Sequence, residues 1–495
     1  MKVKRILEPV GIVDIGSNSI RLCVYDTASR VPVPMFNEKA VCALGQGMGH
    51  SNRLNPEGIT PALDAIGRFV RLARAMAVER LDIMATSAVR DAEDGPDFVR
   101  RIEASLDVHV TVLSGGEEAA LSAQGVLCGT PDAVGLVADI GGGSLELAQV
   151  GQGDVGKLAT LPLGVLRLQD ISGGDRDLAF DHIESHLSQV PWLPEVRGQS
   201  LFAVGGAWRA IARICIAQID HPLLVLDNFT LDAEEARRLV SLISRQSRKS
   251  LEKVPGVSRK RLQTLPLAAL ALERLLIRAE PSQLIFSTFG MREGQFFRQL
   301  PRQIQKLDPV LAECAQMADL AGRFPEHSDE MVAWMSPLFP NEDPTQRRLR
   351  HAACLLGDIF WSEHPDYRAE QAFLKVLRLP FLGLGHRERA ALALSIHVRY
   401  AGDEENSLTA RIRTLLDDEF SRHARLTGLA LRLGHMLSGG APDLLRLTRL
   451  SIEGSELLLE VPGNDAAFLA ELSERPFDQL ARAANCERMT IRRAI

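Results

Sequence analysis

The sequence predicts an α/β chain of two related lobes, followed by a helical domain and a small α+β tail. Three observations carry this. A ten-residue phrase occurs twice, as VDIGSNSIRL at 13–22 and ADIGGGSLEL at 138–147, matching at Asp, Ile, Gly, Ser and Leu. Between residues 10 and about 300, apolar strand runs alternate with amphipathic helices. Past residue 307 strand signals fade and Leu/Ala/Arg periodicity takes over.

Residues 10–13 and 20–25 read as strands, 61–77 as an amphipathic helix, 81–85 as a buried strand, 97–105 as a helix, 108–113 as a strand and 117–127 as a helix. A second lobe opens at 133 with strand, Gly turn and strand. It continues through a strand at 201–204, helices at 207–217, 231–246 and 262–279, and a strand at 283–286. The strands alternate too much for an all-parallel sheet. These readings give lobes at 1–127 and 128–307, a helical domain at 308–440, and a tail at 441–495 with two strands around Gly454.

Composition bounds the function. A chain of 495 residues, 46% apolar and 24% charged, is globular but too long for one core. Seven cysteines without a CxxC pair read as buried thiols of a reducing cytosol. The basic N-terminus runs straight into a strand, so it reads as no signal peptide, and no apolar run suits a membrane span. The expectation is a cytoplasmic protein without a nucleic-acid or membrane partner. Net charge of -6 repels polyanions on average, so an anionic substrate needs local positive potential. Basic clusters at Arg248, Lys249, Lys253, Arg259, Lys260 and Arg261, and at Arg347, Arg348 and Arg350, are solvated helix faces or parts of an anion channel.

Each copy of the repeated phrase reads as a hairpin whose tip offers N–H groups and hydroxyls to a phosphate. Gly16 and Gly141 stand where positive φ is expected. Ser17, Asn18 and Ser19 add side-chain donors in the first copy; Gly142 and Gly143 bare the backbone in the second, before Ser144. Arg21 in one copy is Glu146 in the other, a cation for phosphate against a carboxylate for metal. Asp139 and Glu146 are oxygen ligands of the kind Mg²⁺ prefers, and Asp14 either joins them or caps a turn. In LSGGEEA, Ser114 and Glu117 form a capping box, leaving Glu118 in the first helical turn as either a general base or a solvated glutamate. Three further strand-to-helix junctions carry donors: Ser87, read as a cap, with Arg90; Gly205 with Gly206; and Gly290 with Arg292.

Through VDIGSNSIRL, ATSAVRDA, LSGGEEA, ADIGGGSLEL, LPLGVLRL, AVGGAWRA and FGMREG, in that order over 10–300, the chain resembles the exopolyphosphatase/guanosine pentaphosphate phosphohydrolase (Ppx/GppA) family of the actin, sugar kinase and Hsp70 superfamily. The resemblance implies two ribonuclease-H-like lobes around an active-site cleft and processive release of orthophosphate from polyphosphate. It puts the catalytic glutamate at Glu118, metal carboxylates at Asp139 and Glu146, and phosphate-binding arginines at Arg21, Arg90 and Arg292. Mg²⁺ is the implied cofactor, with a monovalent cation such as K⁺ as a candidate companion, and a homodimer the implied assembly. RLRHAACLLGDIF resembles an HD-type signature through His351 and Asp358, but Gly357 stands where a ligand is expected; this implies an HD-like fold without a competent metal centre, His364 being a leftover ligand or a surface residue.

Competing readings are a pppGpp phosphohydrolase yielding ppGpp or a dual activity, an ATP-dependent kinase or ATPase, and a non-catalytic polyphosphate or alarmone sensor. Trp208 argues against the kinase by standing where an adenosine pocket wants a small polar residue. Glu118, Asp139 and Glu146 argue against the sensor.

Overall fold

The computed structural model describes residues 9–494 except 27–28, 252–261, 322, 325–326, 381, 403–406 and 463–473. The chain divides into two compact units, Met1–Lys306 and Leu307–Ile495.

In the first unit, two sheets repeat one plan. β1 (Val10–Ile15), β2 (Ser19–Tyr25) and β3 (Pro34–Val41) form an antiparallel meander, and β4 (Arg80–Ala85) and β5 (Val110–Val112) extend it in parallel on the far side of β1. β6 (Gly135–Ile140), β7 (Leu145–Gly151) and β8 (Asp154–Leu161) form the second meander. β9 (Ser200–Val204) and β11 (Gln283–Phe286) extend that one in parallel, with β10 (Phe229–Asp232) antiparallel at the edge. The repeated phrase is therefore β1–β2 in one sheet and β6–β7 in the other, at equivalent places.

Both faces of β1 are covered, which is why it reads as a continuous apolar run. Val13 and Ile15 pack with Ile66 and Phe69 of α1 (Pro56–Ala75) and, past the short helix α2 (Ser87–Asp91), with Phe98 and Ile102 of α3 (Gly95–Leu106). Val10 and Ile12 face the other way, onto Leu121 of α4 (Gly115–Gly129) and Phe296 of a helix near the end of the unit. The opposite side of α4 places Ala119, Ala123 and Val126 against Val137 and Ala148 of the second sheet.

Two boundaries differ from expectation. α1 starts at Pro56, because the Asn55 side chain accepts from the Glu57 N–H (3.2 Å), and Pro61 lies inside it. The helix expected from 231 begins after Asp232, whose carboxylate accepts from the N–H groups of Glu234 and Glu235 (3.0 and 2.8 Å); Leu231 belongs to β10.

After α5 (Gly206–Gln218), α6 (Ala233–Ser244) and α7 (Leu265–Ala279) comes α8 (Met291–Arg298), which carries Phe296 and crosses α4 at a glycine contact. A Cβ at Gly125 would stand 2.1 Å from Gly290 O, and one at Gly294 would stand 1.8 Å from Leu121 O. Only glycine permits that approach.

The second unit is helical apart from the sheet of β12 (Arg449–Glu453), β13 (Glu456–Pro462) and β14 (Arg488–Ala494), with Gly454 (φ +63°) in the β12–β13 turn. Of the two basic clusters, Lys253, Arg259, Lys260 and Arg261 lie outside the described residues, as do the side chains of Arg248 and Lys249. The other cluster is a solvated face only at Arg347, which is exposed. Arg350, on α9 (Pro344–Leu356), is buried against Glu342 (Nε–Oε2 2.9 Å), Arg347 also reaches Glu342 (3.4 Å), and Arg348 reaches Asp308 (2.7 Å). Asp358 is held by Arg323 through two bonds of 3.0 Å, His351 lies 3.7 Å from Asp329, and exposed His364 caps a helix.

Candidate active site

Both hairpins end in the same turn: Gly16 N–H donates to Ser19 O (3.1 Å) and Gly141 N–H donates to Ser144 O (3.0 Å). Neither glycine has the positive φ that its place suggested. What the chain uses is the space a missing side chain leaves. A Cβ at Gly142 would stand 2.9 Å from Ser17 Cβ, and one at Gly143 would stand 2.7 Å from Ser87 Oγ. The two tips therefore touch. Ser17 and Ser87 meet there through their hydroxyls, 3.0 Å apart, so Ser87 is a partner of the first hairpin, while Thr86 occupies the N-cap of α2.

Behind the tips the ladders oppose Asp14 to Arg21 in one hairpin and Asp139 to Glu146 in the other. The second pairing sets two buried carboxyls side by side. Burial raises Glu146 well above the usual carboxylate range, with Glu118 and Asp139 adding to it. Burial also raises Asp139, although Ser122 Oγ donates to its Oδ2 (2.6 Å). In the first hairpin burial pushes Asp14 up to about 6, against the pull of Arg292.

At the start of α4 the expected capping box is present. Ser114 Oγ accepts from Glu117 N–H (3.3 Å), and Glu117 Oε2 accepts from Ser114 N–H (2.8 Å). Such a cap contributes about 1 kcal/mol. It occupies Glu117 and leaves Glu118 in the cleft, where burial raises it to about 7 against the Arg90 contact. That value lets one carboxyl take and return a proton near neutrality.

The cleft encloses about 210 Å³ and is lined by every catalytic, phosphate or metal candidate from the sequence except Arg90 and Gly143. Gly143 lies at the tip contact. Arg90 is engaged elsewhere: it donates to Leu113 O (3.1 Å) and Asp91 Oδ1 (3.0 Å) and pairs with Glu118. Its fork holds the glutamate instead of reaching into the cleft.

Sequence reasoning missed Lys39 and Arg209 in the lining. Lys39 pairs with Arg21 across β2–β3, a strand the sequence reading lacked. Arg209 sits one turn into α5, the helix that opens at Gly205 (φ +107°), where a Cβ would meet Ile140 O at 2.5 Å. Burial lowers its guanidinium to about 10. Its spacing of four residues from Gly205 was the available signal. Trp208, read as a pocket residue, is instead fully buried in the core of the second lobe, donating to Ala268 O (2.9 Å). Trp208 therefore says nothing against a kinase.

Among the described residues no three His, Cys, Asp or Glu side chains gather as a ready-made metal cluster. Mg²⁺ needs less, one or two carboxylates with water and phosphate oxygens completing its shell. Glu146 Oε1 is buried without a hydrogen-bond partner, opposite Asp139 on the ladder, and this donor pair fits such an ion.

Two lobes built on one plan, with glycine-rich turns meeting at their tips, define an actin-like α/β protein. The chain belongs to the Ppx/GppA phosphatase family, whose model matches residues 23–303, and the model described as "Exopolyphosphatase, C-terminal" matches residues 310–491. Exopolyphosphatase 1 of Mycobacterium tuberculosis is 28% identical over 305 residues, covering 59% of this chain and 88% of that protein. Retrograde regulation protein 2 of Saccharomyces cerevisiae is 25% identical over 439 residues, covering 79% and 73%. The crystal structure of an exopolyphosphatase from Cytophaga hutchinsonii superposes with a TM-score of 0.54 at 24% identity, covering 59% of this chain and 97% of that one.

Proposed function

We propose that the chain is an exopolyphosphatase, hydrolysing the terminal anhydride of inorganic polyphosphate and releasing orthophosphate. The observation that carries this is Glu118, a buried carboxyl raised to about 7 that opens into a cleft walled by the two glycine-rich hairpin turns. The family and a relative named exopolyphosphatase support the same reading.

Glu118 takes a proton from a water whose oxygen bonds to the terminal phosphorus as the bridging P–O bond breaks. The shortened chain leaves with the bridging oxygen, and the proton returns from Glu118 to product or solvent. Turn N–H groups, the Ser17 hydroxyl, Arg21, Arg209 and Arg292 bind the phosphate oxygens. Arg90 keeps Glu118 aimed. Asp139 and Glu146 would hold Mg²⁺, which when bound offsets charge developing on those oxygens. Asp14, 3.9 Å from Arg292 between their nearest atoms, orients that arginine in this reading. In this reading the enzyme works in the cytoplasm and is a homodimer, and light scattering on the purified chain tests the dimer.

The deciding experiment measures phosphate release from polyphosphate, pppGpp and ATP, with and without Mg²⁺ and K⁺. Polyphosphate turnover should exceed the others and require Mg²⁺, and Glu118→Gln should lower kcat about 10³-fold. Strong preference for pppGpp would make the chain a guanosine pentaphosphatase. Wild-type turnover in Glu118→Gln would end the mechanism whichever substrate is used.

A further inference from the structure

Arg90 holds Glu118, and Arg90 is itself held. Its Nη1 reaches Leu113 O and the Glu118 carboxylate, while its Nε donates to Asp91 Oδ1 (3.0 Å). The Asp91 side chain is one third exposed, at the end of the five-residue helix α2, where a lone carboxylate would turn toward water. It does not stand alone. Arg167 Nη2 donates to Asp91 Oδ2 (2.8 Å), so one carboxylate bridges two guanidinium groups, each on its own oxygen. Burial works against the Arg90 charge, and Glu118 and then Asp91 more than offset it.

Arg167 belongs to the other lobe. Asp91 follows β4 of the first sheet, whereas Arg167 lies on the short helix Val165–Ser172, which follows β8 of the second. The start of that helix is bonded directly to the second glycine-rich turn. Val165 N–H donates to Gly141 O (3.1 Å), and the N–H groups of Leu166 and Arg167 donate to Gly142 O (2.9 and 3.3 Å). At Gly164, just before the helix, a Cβ would stand 2.3 Å from the Gly143 carbonyl carbon, so helix and turn pack backbone on backbone. A continuous path thus runs from the second turn through Arg167, Asp91 and Arg90 to Glu118. Neither Asp91 nor Arg167 is among the described residues that line the cleft. A bridge as exposed as theirs adds little to stability, and what it fixes is direction.

We propose that Arg167 is a positioning residue for the reaction: through Asp91 and Arg90 it sets the aim of Glu118 by the place of the second turn. The proton acceptor is then correctly aimed only while the two turns meet. This rests on the hydrolytic reading of Glu118 given above.

The test measures steady-state phosphate release from polyphosphate by the full chain. Arg167→Gln should lower kcat about tenfold and leave KM within about twofold, since loss of aim weakens the transition state and not the bound substrate. Asp91→Asn should do the same, and the double variant should be no worse than either single one, because one path carries both effects. Arg167→Lys keeps a cation on Asp91 and should recover most of kcat. Unchanged kcat in Arg167→Gln, a raised KM with kcat kept, losses that add in the double variant, or a loss that lysine does not recover would overturn the proposal. Should Asp91→Asn fail to fold, the contrast of glutamine with lysine at the partly exposed position 167 decides alone. An unaltered chain that releases no phosphate would end the hydrolytic reading instead, so the two failures are told apart.

Discussion

The two hairpins share strand order, register and turn hydrogen bond, yet differ at one cross-strand position. The first opposes Asp14, which burial pushes up to about 6, to Arg21, so that a carboxyl faces a guanidinium. The second opposes Asp139 to Glu146 and is left with two buried carboxyls that burial drives toward the protonated state. In the proposed mechanism one duplicated scaffold thus yields a half for phosphate oxygens and a half for a cation. The asymmetry resides in a single residue pair, not in the fold.

The comparison can be broken from either side. Glu146→Gln removes the second hairpin's need for a cation, and Mg²⁺-supported phosphate release should fall about 10³-fold. The same variant should be more stable. A carboxyl whose folded pKa lies above its unfolded value binds an extra proton in the folded state, so the native chain loses stability as pH rises above the unfolded value. Removing that loss should raise Tm by about 3 °C at pH 8. Arg21→Gln takes the phosphate-facing charge from the first hairpin and should raise KM for polyphosphate about 30-fold, with kcat nearly kept. The smallest effect sharpens the comparison by probing Glu118, the proposed base between the hairpins. Activity should rise with pH through about 7 as Glu118 deprotonates, and Arg90→Gln should move that limb to higher pH, since Arg90 holds the Glu118 value down. A limb that stays in place would reduce Arg90 to a structural residue.

Much of this was legible locally. The hairpins follow from apolar runs broken by Gly and Ser, and the capping box from residues three apart, so sequence spacing alone separates Glu118 from Glu117. Contacts between distant segments were not legible. That Arg90 turns onto Glu118 depends on how two helices of one lobe pack, and that Ser17 rests on Gly142 depends on how the two lobes meet. β3 was missed because polar and apolar residues do not alternate in MFNEKAV, where Met35 and Val41 share the exposed side with Asn37 and Lys39, and Lys39 went with it. Arg209 stood inside a recognised motif but behind Trp208, whose bulk was wrongly assigned to the pocket.

The crossing of α4 and α8 has a mechanical consequence. Glu118 rides on one helix and Arg292 on the other, and the helices are spaced by backbone against backbone at Gly125 and Gly290. Backbone has no rotamers with which to adapt. The separation of the two helices that carry Glu118 and Arg292 is therefore a constant of the scaffold, with a tolerance smaller than one methyl group, and under the proposed mechanism every substrate end meets the same gauge.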